Sequence, residues 1–545
     1  MDQAAILETT PASVPAPVPV FVPEGVPEPK LPEQFNFARN ILDLNRDRAG
    51  KLAYIDDTQS ISYGELELRA RKFAAGLKRF GVHREERILL VMQDTVDMPV
   101  ALLGAMLAGV VPVPVNTLLP AADYTYMLEH SSASTVIASA ALWSIVQEAL
   151  APLEQQPKII ISGHGGTAIP GTTDFADLLD GTPLAPQEFA KTRADDFAFW
   201  LYSSGSTGRP KGTVHSHANL FWTAELYGKP ILGIRESDLV FSAAKLFFAY
   251  GLGNGLTFPL SVGATTVLMA ERPTPQAVFK RLVEHKPTVF AGVPTLYVAM
   301  LAADGLPPRD EVALRICASA GEALSKEVGE KFHGHFNCHI LDGLGSTEML
   351  HIFLSNREGD VHYGSTGTPV PGYQLELRDE AGKAVPQGEI GDLFIRGPSA
   401  ALLYWANREK SRATFVGDWV KSGDKYSIDT NGYYTYAGRS DDMLKVSGQY
   451  VSPIEVESAL MGHDAVLECA VIGVPDADGL TKTKAFVVLR HPDKACSELA
   501  DDLKLFVKTR LAPHKYPRDI SFVPQLPKTA TGKIQRFKLR SAEAQ

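Results

Sequence analysis

The sequence predicts an α/β protein: a large N-terminal domain of mostly parallel sheets covered by helices, followed by a small α+β C-terminal lid domain on a hinge. Three observations predict it. From Phe35 onward, short apolar β-branched runs alternate with amphipathic segments, the pattern of parallel strands joined by crossover helices. At 545 residues the chain exceeds what one core organises. Near Gly438 an aromatic strand-like run gives way to the polar, turn-like Gly438-Arg439-Ser440-Asp441-Asp442. The expected divisions are a proline-rich disordered tail over 1–34, an N-terminal domain over 35–440 and a mobile C-terminal domain over 441–545.

Each element has its own signal. Pro11 to Pro32 holds eight prolines among Ala, Val and Glu, a composition that favours solvated polyproline II and builds no core. Ile61 to Phe80 predicts a helix with Leu66, Ala70, Phe73, Ala74 and Leu77 inward. Arg87 to Met92 reads as a strand and Asp97 to Ala108 as a helix with Pro99 in its first turn. Strands follow at Thr135 to Ala138, Lys158 to Ile161 and through Phe197, Phe199, Trp200 and Leu201. Ala264 to Leu268 is strand-like. Pro275 to His285 predicts a helix with Val278, Phe279, Leu282 and Val283 inward. Further strands are expected at Pro287 to Pro294 (ending in a turn), Leu314 to Ala318, His339 to Leu341 and Tyr433 to Tyr436. In the small domain, Ser452-Pro453-Ile454-Glu455 carries an N-cap, a first-turn proline and the acid of a capping box. Strands at Glu468 to Val474 and Lys484 to Leu489 precede a helix at Leu499 to Leu511.

Charge and cysteines narrow the function. With 53 basic and 63 acidic residues the net charge is −10, which argues against nucleic acid as a partner. An anionic substrate must therefore meet local positive groups. The four cysteines are scattered without metal spacing and are expected as reduced thiols in a cytoplasmic protein. No apolar run approaches the roughly 20 residues of a membrane span, and the N-terminus shows no secretion signal.

The chemistry gathers in Tyr202-Ser203-Ser204-Gly205-Ser206-Thr207-Gly208-Arg209-Pro210-Lys211-Gly212. Glycines let backbone N–H groups converge on a point, and hydroxyls beside such a nest suit phosphate oxygens. It is not a Walker A loop, because Pro210 stands where its second glycine belongs and Gly212 follows the lysine. Four further stretches follow in order: Leu341-Asp342-Gly343-Leu344-Gly345-Ser346-Thr347-Glu348; Trp419-Val420-Lys421-Ser422-Gly423-Asp424; Gly438 to Gly448; and Pro527-Lys528-Thr529-Ala530-Thr531-Gly532-Lys533. Together they resemble the ordered motifs of the adenylate-forming enzymes, which include acyl-CoA synthetases, peptide adenylation domains and luciferases. Leu344 and Ser422 depart from the tyrosine and threonine commoner in the family.

The resemblance implies ATP, Mg2+ and coenzyme A as cofactors, and a two-step reaction through an acyl adenylate. It implies that Ser203, Ser204, Gly205, Ser206, Thr207, Gly208 and Lys211 hold phosphates. Gly321, Glu322, Asp342, Gly343, Leu344, Gly345 and Ser346 would line the nucleotide. Thr347 and Glu348 would act in catalysis, with Glu348 reaching the metal. Asp424 would accept the ribose hydroxyls. Tyr436, Arg439 and Lys445 would touch the nucleotide or CoA, Gly448 the pantetheine tunnel. Asp441 would be the hinge and Lys533 the catalytic lysine. Regulation by a lysine acetyltransferase acting on Lys533 is a further expectation, since acylation removes the charge.

The acyl element Lys245 to Asn254 is most similar to that of benzoate–CoA ligases. Phe248, Ala249, Tyr250, Gly251, Ala320, Gly345, His351 and Ile352 are the expected pocket, with one of Phe247 and Phe248 as core. Aromatic walls beside small residues form a slot for benzoate. His351 is the one polar partner expected for a 4-hydroxyl on an otherwise apolar floor. An amino-acid adenylation domain is disfavoured, because this element lacks an acid for a substrate ammonium. A non-catalytic homologue would have lost one of Glu348, Asp424, Arg439 or Lys533, and all four are present.

Overall fold

Two-residue alternation builds the first sheet. In the computed structural model, described for residues 31–545 except 164, 166–168, 204–208, 441, 447–448, 477–480, 513–514, 529–533 and 544–545, it runs Val111–Pro114, Arg87–Val91, Thr135–Ser139, Lys158–Ser162, Thr173–Asp174, all parallel. Ile88, Leu90, Ile137 and Ile160 face helices Tyr63–Arg79 and Asp97–Ala108. Leu89, Val91, Val136, Ala138 and Ile161 face helix Ala121–Ser131 instead. Both faces are thus covered, as a parallel sheet requires. Helix Tyr63–Arg79 opens on a capping box between Ser62 and Glu65, and all five of its expected inward residues are buried.

The second sheet has nine strands. Its parallel centre runs Ile340–Gly345, Ile316–Ser319, Val289–Gly292, Leu239–Ser242, Thr265–Val267, Leu52–Ile55, and antiparallel strands close both edges. The α/β expectation holds for these two sheets. The phosphate-type loop hangs elsewhere: strand Phe197–Ser203 returns antiparallel as Lys211–Ser216, and Leu403–Tyr404 adds to the latter's free edge. A second antiparallel sheet carries Asp424 and Arg439. The C-terminal region is smaller, with Val466–Pro475 and Thr481–Leu489 antiparallel and helices Pro453–Met461 and Ser497–Lys508 packed on them. No helix among the described residues is long and apolar enough to cross a membrane.

Several local expectations are corrected. Val283 is exposed, and Arg281 is buried in the same helix because its guanidinium pairs with Asp57 and Glu271. Strand Val289–Gly292 leads into a helix, Pro294–Ala302, not a simple turn; proline suits that first position. Gly438 and Arg439 continue the strand Tyr434–Arg439. Ser452 caps its helix, but the Glu455 carboxylate bonds Lys515 at 2.7 Å instead of closing a box, a charge-assisted pair outcompeting a neutral N–H. Cys317 and Cys338, 21 residues apart, lie with Sγ atoms 3.6 Å apart, both as free thiols.

Candidate active site

The antiparallel hairpin sets the phosphate side. Ser203 and Lys211 are register partners where the two strands part, so both flank the loop between them. The Ser203 hydroxyl is buried without a hydrogen-bond partner among the described residues, as expected of a group reserved for a ligand. Ser204, Gly205, Ser206, Thr207 and Gly208 lie outside the described residues. Lys211 Nζ donates to Tyr404 Oη at 3.1 Å and sits 3.6 Å from Glu348 Oε1; Tyr404 Oη donates to the same Oε1 at 2.6 Å. Burial would raise the Glu348 carboxyl, but Lys211 and Tyr404 overcome it and hold the group below its usual range. An ionised, largely buried oxygen donor fits a hard divalent cation shared with phosphates.

Neighbouring strand ends carry the residues expected to line a nucleotide. Burial pushes the Asp342 carboxyl up to about 8, and its Oδ1 has no hydrogen-bond partner. A carboxyl that keeps its proton at neutral pH both donates and accepts, which suits the edge of a purine. Ser319 Oγ, on the register-paired strand, is likewise buried and faces the Asp342 carboxyl, where it partly offsets the effect of burial. Gly321 takes φ +94°, and Glu322 accepts from Thr295 Oγ1 at 2.5 Å. Asp424 and Arg439 face each other across an antiparallel pair, with Arg439 Nη1 donating to Asp424 Oδ1 at 2.9 Å. Immediately before Asp424, Gly423 takes φ +78°, and a Cβ there would lie 3.1 Å from the Arg439 guanidinium. Tyr436 packs on Tyr426 at 5.3 Å.

The acyl side is built around His351. Leu350 takes φ +62°, an unusual backbone for leucine, in the turn that precedes it. The imidazole is enclosed by Phe258 at 4.5 Å, Tyr227 at 5.2 Å and Tyr250 at 5.6 Å between ring centroids. Burial pushes its pKa down to about 3, so it is neutral. Its Nε2 lies 3.3 Å from Tyr250 O and 3.5 Å from Asn254 Nδ2; with Nε2–H donating to the carbonyl, Nδ1 is a bare acceptor without a partner among the described residues. Ala320 and Ile352 are buried, and Gly345 lies where a Cβ would meet His351 O at 2.7 Å. Phe247 is the core residue of its pair; Phe248 packs edge-on against it and caps helix Ala249–Leu252.

The apolar-floor expectation needs correcting. Tyr250 Oη and Asn254 Oδ1 are also buried without hydrogen-bond partners among the described residues, and Tyr227 Oη lies buried beside Ser355, because residues 227 and 250–254 converge on His351. Sequence reading also missed His215, whose Nε2–H donates to Thr347 O at 2.8 Å and whose buried ring is held neutral with a pKa near 4. It missed Asp94, which accepts from Leu246 N at 3.1 Å and so braces the start of the acyl element. Tyr404 was missed too. None lies in a recognisable motif. Asp441, Gly448 and Lys533 lie outside the described residues, as does the side chain of Lys445.

Family models match this layout: the AMP-binding enzyme model over residues 43–405 and the AMP-binding enzyme C-terminal domain over 455–533. The chain belongs to the AMP-binding enzyme family. Among its relatives is the benzoate–CoA ligase of Thauera aromatica, 56% identical over 94% of this chain and 97% of that protein. The 4-hydroxybenzoate–CoA/benzoate–CoA ligase of Rhodopseudomonas palustris is 48% identical over 93% of this chain and 94% of that protein. A solved benzoate CoA ligase from Burkholderia xenovorans LB400 is 66% identical, with a TM-score of 0.86 over 93% of this chain and 100% of that one. Each of these likenesses covers more than nine-tenths of this chain.

Proposed function

We propose that this chain is an ATP-dependent benzoate–CoA ligase. The observation that carries it is the aromatic enclosure of Tyr227, Tyr250, Phe258 and neutral His351, with His351 three residues along the chain from Glu348, which in turn lies 3.6 Å from Lys211. A carboxylate oxygen attacks the α-phosphorus of ATP and pyrophosphate leaves; the CoA thiolate then attacks the adenylate carbonyl and AMP leaves. Ser203 and Lys211 meet phosphate oxygens, and Glu348 holds the metal side. Mg2+, when bound, supplies charge neutralisation across the phosphates. Asp424, oriented by Arg439, accepts from the ribose, and Asp342 faces the purine. The protein contributes position and preset charge.

Burying a phenyl ring's ~130 Å² at ~25 cal/mol/Å² contributes about 3 kcal/mol, roughly 200-fold over acetate. The expected order of kcat/KM is benzoate first, hydroxybenzoate next, hexanoate and acetate far behind. The Tyr250 Oη, Asn254 Oδ1 and His351 Nδ1 atoms, without partners among the described residues, support retained turnover of a hydroxylated ring. Steady-state assays over the four acids check this; a preference for either aliphatic acid overturns the aromatic slot.

The division at 440/441 belongs to the same reading. Lys533 and the CoA channel serve one site in turn, so the C-terminal domain rotates about Asp441. Asp441→Pro fixes φ where the hinge must change it. Adenylation is expected to survive better than thioester formation, measured as separate half-reactions; equal losses in a folded variant count against the pivot. A protein lysine acetyltransferase acting on Lys533 is the proposed regulatory partner. Free thiols at all four cysteines and the use of ATP and CoA support a cytoplasmic setting.

A further inference from the structure

We infer that Tyr404 is a positioning residue for adenylation: its hydroxyl holds the metal-side carboxylate of Glu348 and the phosphate-side ammonium of Lys211 in one preset arrangement. Tyr404 is buried, at the edge of the hairpin that bears the phosphate-type loop, paired in register with Thr213. Its hydroxyl accepts from Lys211 Nζ at 3.1 Å and donates to Glu348 Oε1 at 2.6 Å, and Lys211 Nζ also lies 4.2 Å from the centre of its ring. The two charges come from positions 211 and 348, so no local sequence relation brings them together. Tyr404 does.

The same segment grips Glu348 twice. Ala401 N donates to Glu348 O at 2.7 Å, fixing the backbone, while Tyr404 fixes the carboxylate. Tyr404 is itself braced: its N–H donates to Ser411 Oγ at 3.0 Å, and its ring packs against Phe415 at 5.2 Å. A side chain held this way carries little freedom to lose when a ligand arrives. Before nucleotide binds, Lys211 and Glu348 neutralise each other. With Mg·ATP bound, Lys211 would meet phosphate and Glu348 would hold the metal, and the short Tyr404 hydrogen bond would keep the carboxylate aimed. No step in thioester formation needs this, because pyrophosphate has left by then.

The inference rests on the proposed Mg·ATP roles of Lys211 and Glu348, and the test separates the two claims. Tyr404→Phe removes only the hydroxyl. Loss of a hydrogen bond to a charged group is expected to weaken Mg·ATP about 10- to 100-fold. It should raise KM for Mg·ATP by that factor, with KM for benzoate within about twofold and thioester formation from supplied benzoyl adenylate unchanged. Calorimetric titration of a non-hydrolysable ATP analogue, at several Mg2+ concentrations, gives the same loss without turnover. In a Glu348→Gln background, Tyr404→Phe should add less than about twofold, since it acts through that carboxylate. An unchanged Mg·ATP dependence, an additive double variant, or equal losses in both half-reactions overturns the role of Tyr404. If Glu348→Gln alone leaves Mg·ATP binding intact, the reading of Glu348 fails instead.

Discussion

Lys533→Ala is expected to lower benzoyl-adenylate formation by at least ~10²–10³-fold while leaving thioester formation from supplied benzoyl adenylate near the wild-type rate. The reason is electrostatic. Two anions, a carboxylate and a triphosphate, are pressed together in the first step, and a compact ammonium on a long stem can bridge them as charge develops. In the second step the attacking group and the leaving group are differently placed, and under the proposed rotation the C-terminal domain would have turned. Rapid-quench measurement of pyrophosphate release, against thioester formation from presynthesised adenylate, checks the split. Equal losses in both half-reactions show the assigned role to be wrong. The same assay tests the regulatory partner: enzyme acylated at Lys533 by a lysine acetyltransferase, confirmed by peptide mapping, should behave as the alanine variant does. Full adenylation by fully modified enzyme refutes that regulation.

Gly253→Ala is expected to lower kcat/KM for benzoate about 5- to 150-fold while KM for ATP stays within about twofold. Gly253 has φ −61°, so alanine meets no backbone strain there. The cost is collision: a Cβ would lie 2.3 Å from His351 Cδ2, 2.5 Å from its Nε2 and 2.9 Å from Phe258 Cζ. Overpacking of this kind costs ~1–3 kcal/mol, and here it pushes the imidazole out of its place between Tyr227, Tyr250 and Phe258. Shortening the obstructing ring should relieve it, so Gly253→Ala/His351→Ala should lose less than the two single changes multiplied. An alanine variant with benzoate kinetics within twofold of wild type shows that His351 does not shape the acyl site.

The acyl site and the nucleotide site thus differ in how they are held. His351 is fixed by enclosure and one carbonyl contact, whereas Glu348 is fixed by charge, a short hydrogen bond and a backbone grip. Substitutions around His351 should change which acid is used; substitutions around Glu348 should change the demand for Mg·ATP.

By itself the sequence determined the elements whose signals are local. Helix Tyr63–Arg79 was legible because apolar spacing and the Ser62–Glu65 capping box lie in one continuous stretch, and helix Asp97–Ala108 because a proline at its third position is tolerated. The family motifs were legible for a related reason: each keeps its glycines, hydroxyls and charges within about a dozen residues, as a phosphate or ribose demands of a single loop. The tertiary structure decided what depends on distant partners. Val283 follows the apolar rule yet lies exposed, because Asp57 and Glu271 let Arg281 be buried in the same helix. Glu455 bonds Lys515 because a charged partner arrives from 60 residues away. The phosphate-type loop sits on an antiparallel hairpin because Tyr202 pairs with Gly212, a register invisible until both strands are placed. Tyr404, Tyr227 and His215 carry no motif, since their roles lie in the hydroxyl or ring they bring to residues 56 to 193 positions away, and such geometry is written in packing and not in spacing.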